Sequence, residues 1–202
     1  RPGLARQCGE VLARIHAAEP PPGLSEVDAL AELARYETVY RQSGARRPVL
    51  ELAFRHLARH APAPVPAVLL HGDFRNGNLM ISPEDGLVAV LDWELSHRGD
   101  PAEDLGWISV NSWRFGRPDR PVGGFGAYDD LLAGYEAASG RSISLERLLY
   151  WQALGSLKWG VMCLMMYASY ASGTEASVER PMIGRRVSET EIDLLHILET
   201  LS

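Results

Sequence analysis

The sequence predicts an α+β protein that is mainly helical, with one small β-hairpin bearing its chemically most suggestive residues. Three observations lead there. Apolar residues recur at three- and four-residue spacing through most of the 202 positions, the period of a helix with one buried face. Three prolines between Pro62 and Pro66 interrupt that pattern, because proline lacks the amide proton a helix interior needs. Short apolar runs come next, two of them separated by Asp85-Gly86, a dipeptide suited to the positive φ angles of a tight hairpin turn.

Leu4, Cys8, Val11, Leu12 and Ile15 form one face of a first helix that ends before Pro20-Pro21-Pro22. Ser25 is placed to cap a second, whose apolar side is Val27, Leu30, Leu33, Tyr36, Val39 and Tyr40 and which stops near Gly44. Pro48 suits the first turn of a third, Val49 to His60. Val68 to Leu70, Asn78 to Ile81 and Leu87 to Leu91 read as strands. Helix returns at Pro101 to Asn111, Tyr128 to Ala138, Leu145 to about Ala171 and Glu189 to Leu201, the last announced by the capping-box spacing of Ser188-Glu189-Thr190-Glu191. Between Arg114 and Gly126 glycines and prolines break any period, so this arginine-bearing stretch, including Gly123-Gly124-Phe125-Gly126, reads as a loop.

A formal net charge of -6 argues against a nucleic-acid binder, which needs a basic face. Cys8 and Cys163 both fall inside apolar helical patterns. Two buried thiols and a reducing, cytoplasmic setting are expected rather than a disulfide framework. The longest apolar run, Trp159 to Ala168, is about half of what a bilayer span needs. No leader pattern opens the chain, and no membrane partner is expected. Because Arg1 stands first, before a helical pattern, the sequence is expected to be a piece of something longer.

Phosphoryl transfer needs a carboxylate to meet the attacking hydroxyl, oxygen ligands for Mg²⁺, and cations for the developing charge. Asp73 stands in a loop, Asn78 at the start of a strand, and Asp92 at the exit of its partner strand. One hairpin can therefore gather all three. A carboxamide oxygen from Asn78 and a carboxylate from Asp92 are hard ligands suited to Mg²⁺, which leaves Asp73 for the hydroxyl.

HGDFRNGNLM, from His71, with LDWE, Leu91 to Glu94, resembles the catalytic loop and metal-binding motif of the aminoglycoside phosphotransferase and choline kinase superfamily, relatives of protein kinases. SHRGDPAEDLGW, Ser96 to Trp107, resembles the segment next after that motif in the same superfamily. The resemblance implies a protein-kinase-like C-terminal lobe over residues 1–202, with ATP and Mg²⁺ as cofactors and a small-molecule acceptor. It implies Asp73 as the base, Asn78 and Asp92 as metal ligands, His71 steadying the loop, and Asp104 in a structural role. Arg75, two residues after the base where protein kinases carry lysine, is a candidate to face the transferred phosphate. Glu94 replaces the glycine found there in protein kinases and is a candidate acid beside the metal or acceptor.

No glycine-rich strand-turn-strand precedes the first helix, so the nucleotide-binding lobe is expected to lie outside these residues. Lys158, in an apolar helical pattern, is no substitute for a phosphate-binding lysine. Trp113, Arg114 and Arg117 are candidates for the acceptor wall. A polycationic acceptor calls for an acidic wall, whereas cations and rings suit an anionic, partly apolar acceptor such as an acyl thioester of coenzyme A. The tryptophans otherwise read as core. Two other classes compete: a catalytically silent relative that binds a metabolite, and a metal-dependent hydrolase. His56 and His60 have metal-ligand spacing but no third ligand nearby, which disfavours the hydrolase.

Overall fold

A computed structural model describes residues 3–201, so Arg1 and Pro2 at the opening of the sequence lie outside it. The protein is α+β and mainly helical. Its helices are α1 (Leu4–His16), α2 (Ala29–Gln42), α3 (Pro48–Arg59), α4 (Ala102–Trp107), α5 (Tyr128–Ser139), α6 (Leu145–Ala171), α7 (Glu179–Gly184) and α8 (Val187–Thr200). Its strands are β1 (Val68–Leu70), β2 (Leu79–Ser82), β3 (Gly86–Val90) and β4 (His97–Gly99). The described residues form two compact units, one of residues 3–28 and 62–152, the other of residues 29–61 and 153–201. Among the described residues no helix is long and apolar enough to cross a membrane.

The first unit is built on α1 against α5. Leu4, Ala5, Cys8 and Leu12 of α1 meet Leu131 and Tyr135 of α5, and Leu105, Ile108, Val122 and Leu148 close the same core. Two glycines set how near the helices come. A Cβ on Gly9 would lie 2.1 Å from the Leu131 carbonyl oxygen, and one on Gly134 would lie 2.1 Å from that of Arg6. Backbone cannot yield as a side chain can, so the axes would have to separate. Gly134→Ala is expected to cost about 1–3 kcal/mol, as overpacking does, measured as a fall in the urea midpoint at unchanged m-value. Cys8 is fully buried, and burial pushes its thiol up to about 12; it and Cys163 are both free.

The strands make two antiparallel ribbons. In the first, β1 pairs with β4, Val68 opposite Gly99 and Leu70 opposite His97. In the second, β2 pairs with β3, Leu79 opposite Val90, with a register shift between Met80 and Ile81. Gln7 of α1 ties the turn of this ribbon, its amide nitrogen donating to the Asp85 carbonyl and its amide oxygen accepting from Leu87 N–H. Strand β4 is absent from the sequence expectation because His97-Arg98-Gly99 shows no apolar alternation. Its partners make it a strand instead. Residues 25–27 join it on its other side, Val27 N–H donating to the Arg98 carbonyl and Arg98 N–H to that of Ser25. Ser25 is thereby extended and does not cap α2, which starts at Ala29.

His97 also bonds Glu103 across 3.3 Å. Burial pulls its imidazole down, but the Glu103 carboxylate outweighs burial and raises it to about 9. A raised histidine stabilises the fold fully below its unfolded value near 6.5 and loses that contribution as pH rises through the folded one. The melting temperature should therefore fall between pH 6.5 and about 9 in the wild type, and a His97→Gln variant should lack that component of the slope.

Helix α4 is shorter than the expected Pro101 to Asn111. After Trp107 the Ser109 hydroxyl bonds back to the Leu105 carbonyl at 2.9 Å, a competitor of helical continuation, and a 3₁₀ turn succeeds it at Asn111–Trp113. In the second unit, α8 begins at Val187 and not at the Ser188 box. Arg186, at its N-cap, is already helical (φ -71°, ψ -8°) because α7 runs almost directly into α8, so Ser188 lies within the first turn. That unit also holds Tyr40 against Phe54, ring centroids 5.5 Å apart, and a buried ion pair of Lys158 with Glu32 at 3.2 Å. The His56 and His60 rings stack at 4.1 Å rather than converge on a point between them.

Candidate active site

The site lies in the first unit, in the loop between β1 and β2. Phe74 anchors it from below. Its ring is fully buried among the α1 and α5 side chains, so the residue next after Asp73 is fixed by the core itself. Gly72 precedes Asp73 with φ 82°, a conformation L residues resist. A Cβ there would also meet the Leu95 carbonyl oxygen at 2.3 Å.

Asp104 in the first turn of α4 holds the loop from behind. It is fully buried, its Oδ2 accepting from His71 N–H at 2.8 Å and its Oδ1 from Gly72 N–H at 2.9 Å. His16 at the end of α1 reaches Oδ2 with Nε2 at 3.1 Å and the Tyr135 hydroxyl with Nδ1 at 3.1 Å. Burial pushes the Asp104 carboxyl up, but the His16 bond and charge and the two loop amides outweigh it and hold the group below its usual range. Burial raises the Tyr135 hydroxyl to about 12.

His71 is a bracket. Its Nδ1 accepts from Asp73 N–H at 3.1 Å, so its Nε2 is the donor to the Leu91 carbonyl at 3.0 Å. One ring thus ties the loop to the residue before Asp92. The Leu91 amide in turn donates to the Asn78 carbonyl at 2.8 Å. The β2–β3 register therefore sets Asn78 and Leu91 face to face, with Asp92 next along the chain.

The Asp73 carboxylate receives three side chains. Trp107 of α4 donates its indole N–H to Oδ1 at 2.7 Å. Asn78 donates its amide nitrogen to Oδ2 at 2.8 Å and to the Asp73 carbonyl at 2.9 Å. Arg75 Nε spans both oxygens at 3.0 and 3.1 Å, its guanidinium carbon 5.0 Å from the centroid of the Trp113 ring. With the Asn78 nitrogen spent on Asp73, the carboxamide oxygen of this buried residue is the atom that would serve a metal ion. Asp92 is exposed and held at φ 66°, a left-handed conformation that costs most residues about 1 kcal/mol and that Asp and Asn tolerate best. A carboxamide oxygen and an exposed carboxylate on adjoining strand ends are the kind of hard oxygen pair Mg²⁺ takes, waters completing its shell. Among the described residues no three His, Cys, Asp or Glu side chains cluster as a metal cage, and a two-ligand Mg²⁺ site needs none.

The structure thus brings His71, Asp73, Arg75, Asn78 and Trp113 together, with Asp92 at the neighbouring strand end. Glu94 is exposed two residues further on. Arg114 is turned inward, donating to the Ser109 carbonyl at 2.8 Å and to the Tyr128 hydroxyl at 3.4 Å. Arg117 lies at the surface in a fork with Asp119 at 3.2 Å. Neither reaches Asp73. Sequence reading passed over Trp107 as core and Asn76 altogether. Asn76 donates to the Trp113 carbonyl at 3.1 Å and the Gly123 carbonyl at 2.6 Å, which ties the Asp73 loop to the arginine-bearing one. The sign of Trp107 was in the spacing: it is three residues after Asp104, and helix positions i and i+3 share a face.

The Phosphotransferase enzyme family profile, APH, matches residues 1–140. Acyl-CoA dehydrogenase family member 10 of Mus musculus is 32% identical over 117 residues, 53% of this chain but 11% of that protein. Family member 11 of Gallus gallus is 30% identical over 142 residues, 62% of this chain and 18% of the relative. The chain thus spans less than a fifth of these relatives' length. A crystal structure from Ralstonia eutropha, assigned to the aminoglycoside phosphotransferases, superposes with a TM-score of 0.76 at 21% identity, covering 98% of this chain and 65% of that one. Choline kinase from Cryptosporidium parvum gives 0.67 at 8% identity, with the same coverages. The fold is that of kinase-like phosphotransferases, and the chain belongs to the phosphotransferase enzyme family.

Proposed function

We propose that the chain carries the catalytic base and metal ligands of an ATP-dependent phosphotransferase that moves the γ-phosphoryl group to the hydroxyl of an anionic small molecule. The observation that carries the reading is Asn78: its nitrogen holds the Asp73 carboxylate at 2.8 Å, and its carboxamide oxygen would then be the atom offered to a cation. Base and metal ligand are thereby tied through one side chain, the two roles that phosphoryl transfer needs side by side.

Asp73 accepts the proton of the acceptor hydroxyl as that oxygen forms its bond to phosphorus and the bond to the leaving ADP oxygen breaks. A bound Mg²⁺, held by Asn78 and Asp92, would neutralise charge on the nucleotide phosphates. Arg75 at rest covers both oxygens of Asp73. It yields that position to the acceptor hydroxyl and turns its guanidinium to the phosphoryl oxygens, the place its offset from Asp73 suggests. His71 keeps the loop and the strand end in step through one ring.

Two features favour a coenzyme A thioester bearing a hydroxyl as acceptor. The loop after α4 carries Arg117 and Arg120, which share the single carboxylate of Asp119 and so leave a net positive charge, and near them in sequence an exposed Phe115; relatives that match part of this chain bear the name acyl-CoA dehydrogenase family. The test is ADP release by the whole protein with Mg²⁺·ATP against hydroxyacyl-CoA thioesters, the free hydroxy acids, choline and aminoglycosides. Turnover confined to choline or aminoglycosides would sink the acceptor assignment. No turnover with any hydroxyl compound would favour a metabolite-binding protein without catalysis.

A further inference from the structure

We infer that Trp107 is a positioning residue for the base: its indole N–H fixes the rotation of the Asp73 carboxylate so that a set lone pair meets the acceptor hydroxyl. The inference rests on the functional reading above for its catalytic consequence, but the contact itself is geometric.

A carboxylate turns easily about its last bond, because such torsions have broad wells. Asp73 is held at both ends. Oδ1 takes the Trp107 N–H at 2.7 Å, and Oδ2 takes the Asn78 amide at 2.8 Å. Both distances are those of charge-assisted bonds. Arg75 bridges the two oxygens, but its side chain is 30% exposed, and in the proposed reaction it departs to the phosphoryl group. Two donors then remain, one per oxygen, and the carboxylate keeps its plane.

The two are not equivalent. Asn78 stands in a 3₁₀ turn at the entry to β2 and would share its amide with a metal ion. Trp107 comes from α4, is 5% exposed, and has the fully buried Leu105 and Ile108 beside it in sequence. It lies one helical turn from Asp104, whose carboxylate holds the amides of His71 and Gly72. Helix α4 therefore grips the loop twice, by its backbone through Asp104 and by its reactive side chain through Trp107. An error of about 1 Å at a reacting group can cost on the order of a hundredfold in rate, so an anchor on a rigid element has a kinetic effect and little effect on binding.

The experiment compares the wild-type whole protein with Trp107→Phe and with a protein in which benzothienylalanine replaces Trp107 alone. The second keeps the ring size and exchanges the N–H for sulfur, so it remains informative if Trp107→Phe folds poorly. Expected is a fall in kcat of roughly tenfold or more in both, from loss of a hydrogen bond to a charged group, with KM for nucleotide and acceptor within about twofold and the melting temperature of the isostere unchanged. A purely structural Trp107 would instead move KM and stability together and leave the isostere at wild-type kcat, which overturns the inference. A second readout needs no turnover. The Trp107 indole N–H resonance, assigned with Trp107→Phe, should shift in Asp73→Ala, which removes the acceptor; an unchanged position overturns the contact. A wild type that transfers no phosphoryl group would count against the functional reading, and the resonance would still decide the contact.

Discussion

Asp73→Asn is expected to lower kcat by about 10² to 10⁴-fold, the range that general-base catalysis contributes, with a stability loss of about 1–3 kcal/mol from the new amide nitrogen set against the Asn78 donor. The replacement has nearly the same shape and keeps one carbonyl oxygen to accept the Trp107 N–H. It has no lone pair basic enough to take a hydroxyl proton. Its amide nitrogen faces Asn78 and Arg75, which in the wild type donate to the carboxylate at 2.8 Å and at 3.0 and 3.1 Å. The Arg75 pair is partly solvated, with side chains 30% and 13% exposed, and such pairs contribute at most about 1 kcal/mol. The measurement is steady-state kinetics with the preferred acceptor beside a thermal melt. Activity within about tenfold of wild type would remove Asp73 from the role of base.

The candidate site was legible as a cluster because its order along the chain is local: His71, Asp73, Arg75 and Asn78 fall within eight positions, and a hairpin turn signal brings Asp92 back to them. The helices were legible for the same reason, since a 3.6-residue period needs no knowledge of what it packs on. What escaped is what depends on distant partners. Strand β4 exists because β1 and residues 25–27 flank it, not because His97-Arg98-Gly99 favours extension. Ser25 and Ser188 carry the right side chains for caps, yet tertiary pairing and the helix before α8 decide their backbone conformations. Arg114 reads as a free cation in a loop, but its guanidinium satisfies the Ser109 carbonyl. Trp107 reads as bulk, and its one polar atom finds a carboxylate 34 positions away. Local pattern states which residues are available. Long-range hydrogen bonds state what they are used for.

Asp104→Ala should destabilise the protein by about 3–5 kcal/mol, the cost of breaking a buried charged group's partnerships, and should abolish activity with it. The carboxylate accepts from two buried backbone amides and from His16. Each amide left without an acceptor costs about 1–3 kcal/mol, and water cannot replace the carboxylate easily at a fully buried position. The loop that carries Asp73 would lose its hold at His71 and Gly72, while Phe74 remained anchored in the core, so the base would swing about its own neighbour. Acid titration provides an independent reading of the same group. A carboxyl held below its ordinary value contributes stability above the unfolded value near 3.9 and loses it as pH falls through the folded one. Wild type should therefore lose this contribution only below about pH 3.9, and Asp104→Asn should lack it at every pH. A urea midpoint for Asp104→Ala that corresponds to less than about 1 kcal/mol would mean that His71 and Gly72 find other acceptors. The loop would then be positioned by Phe74 and Trp107 rather than by the buried carboxylate.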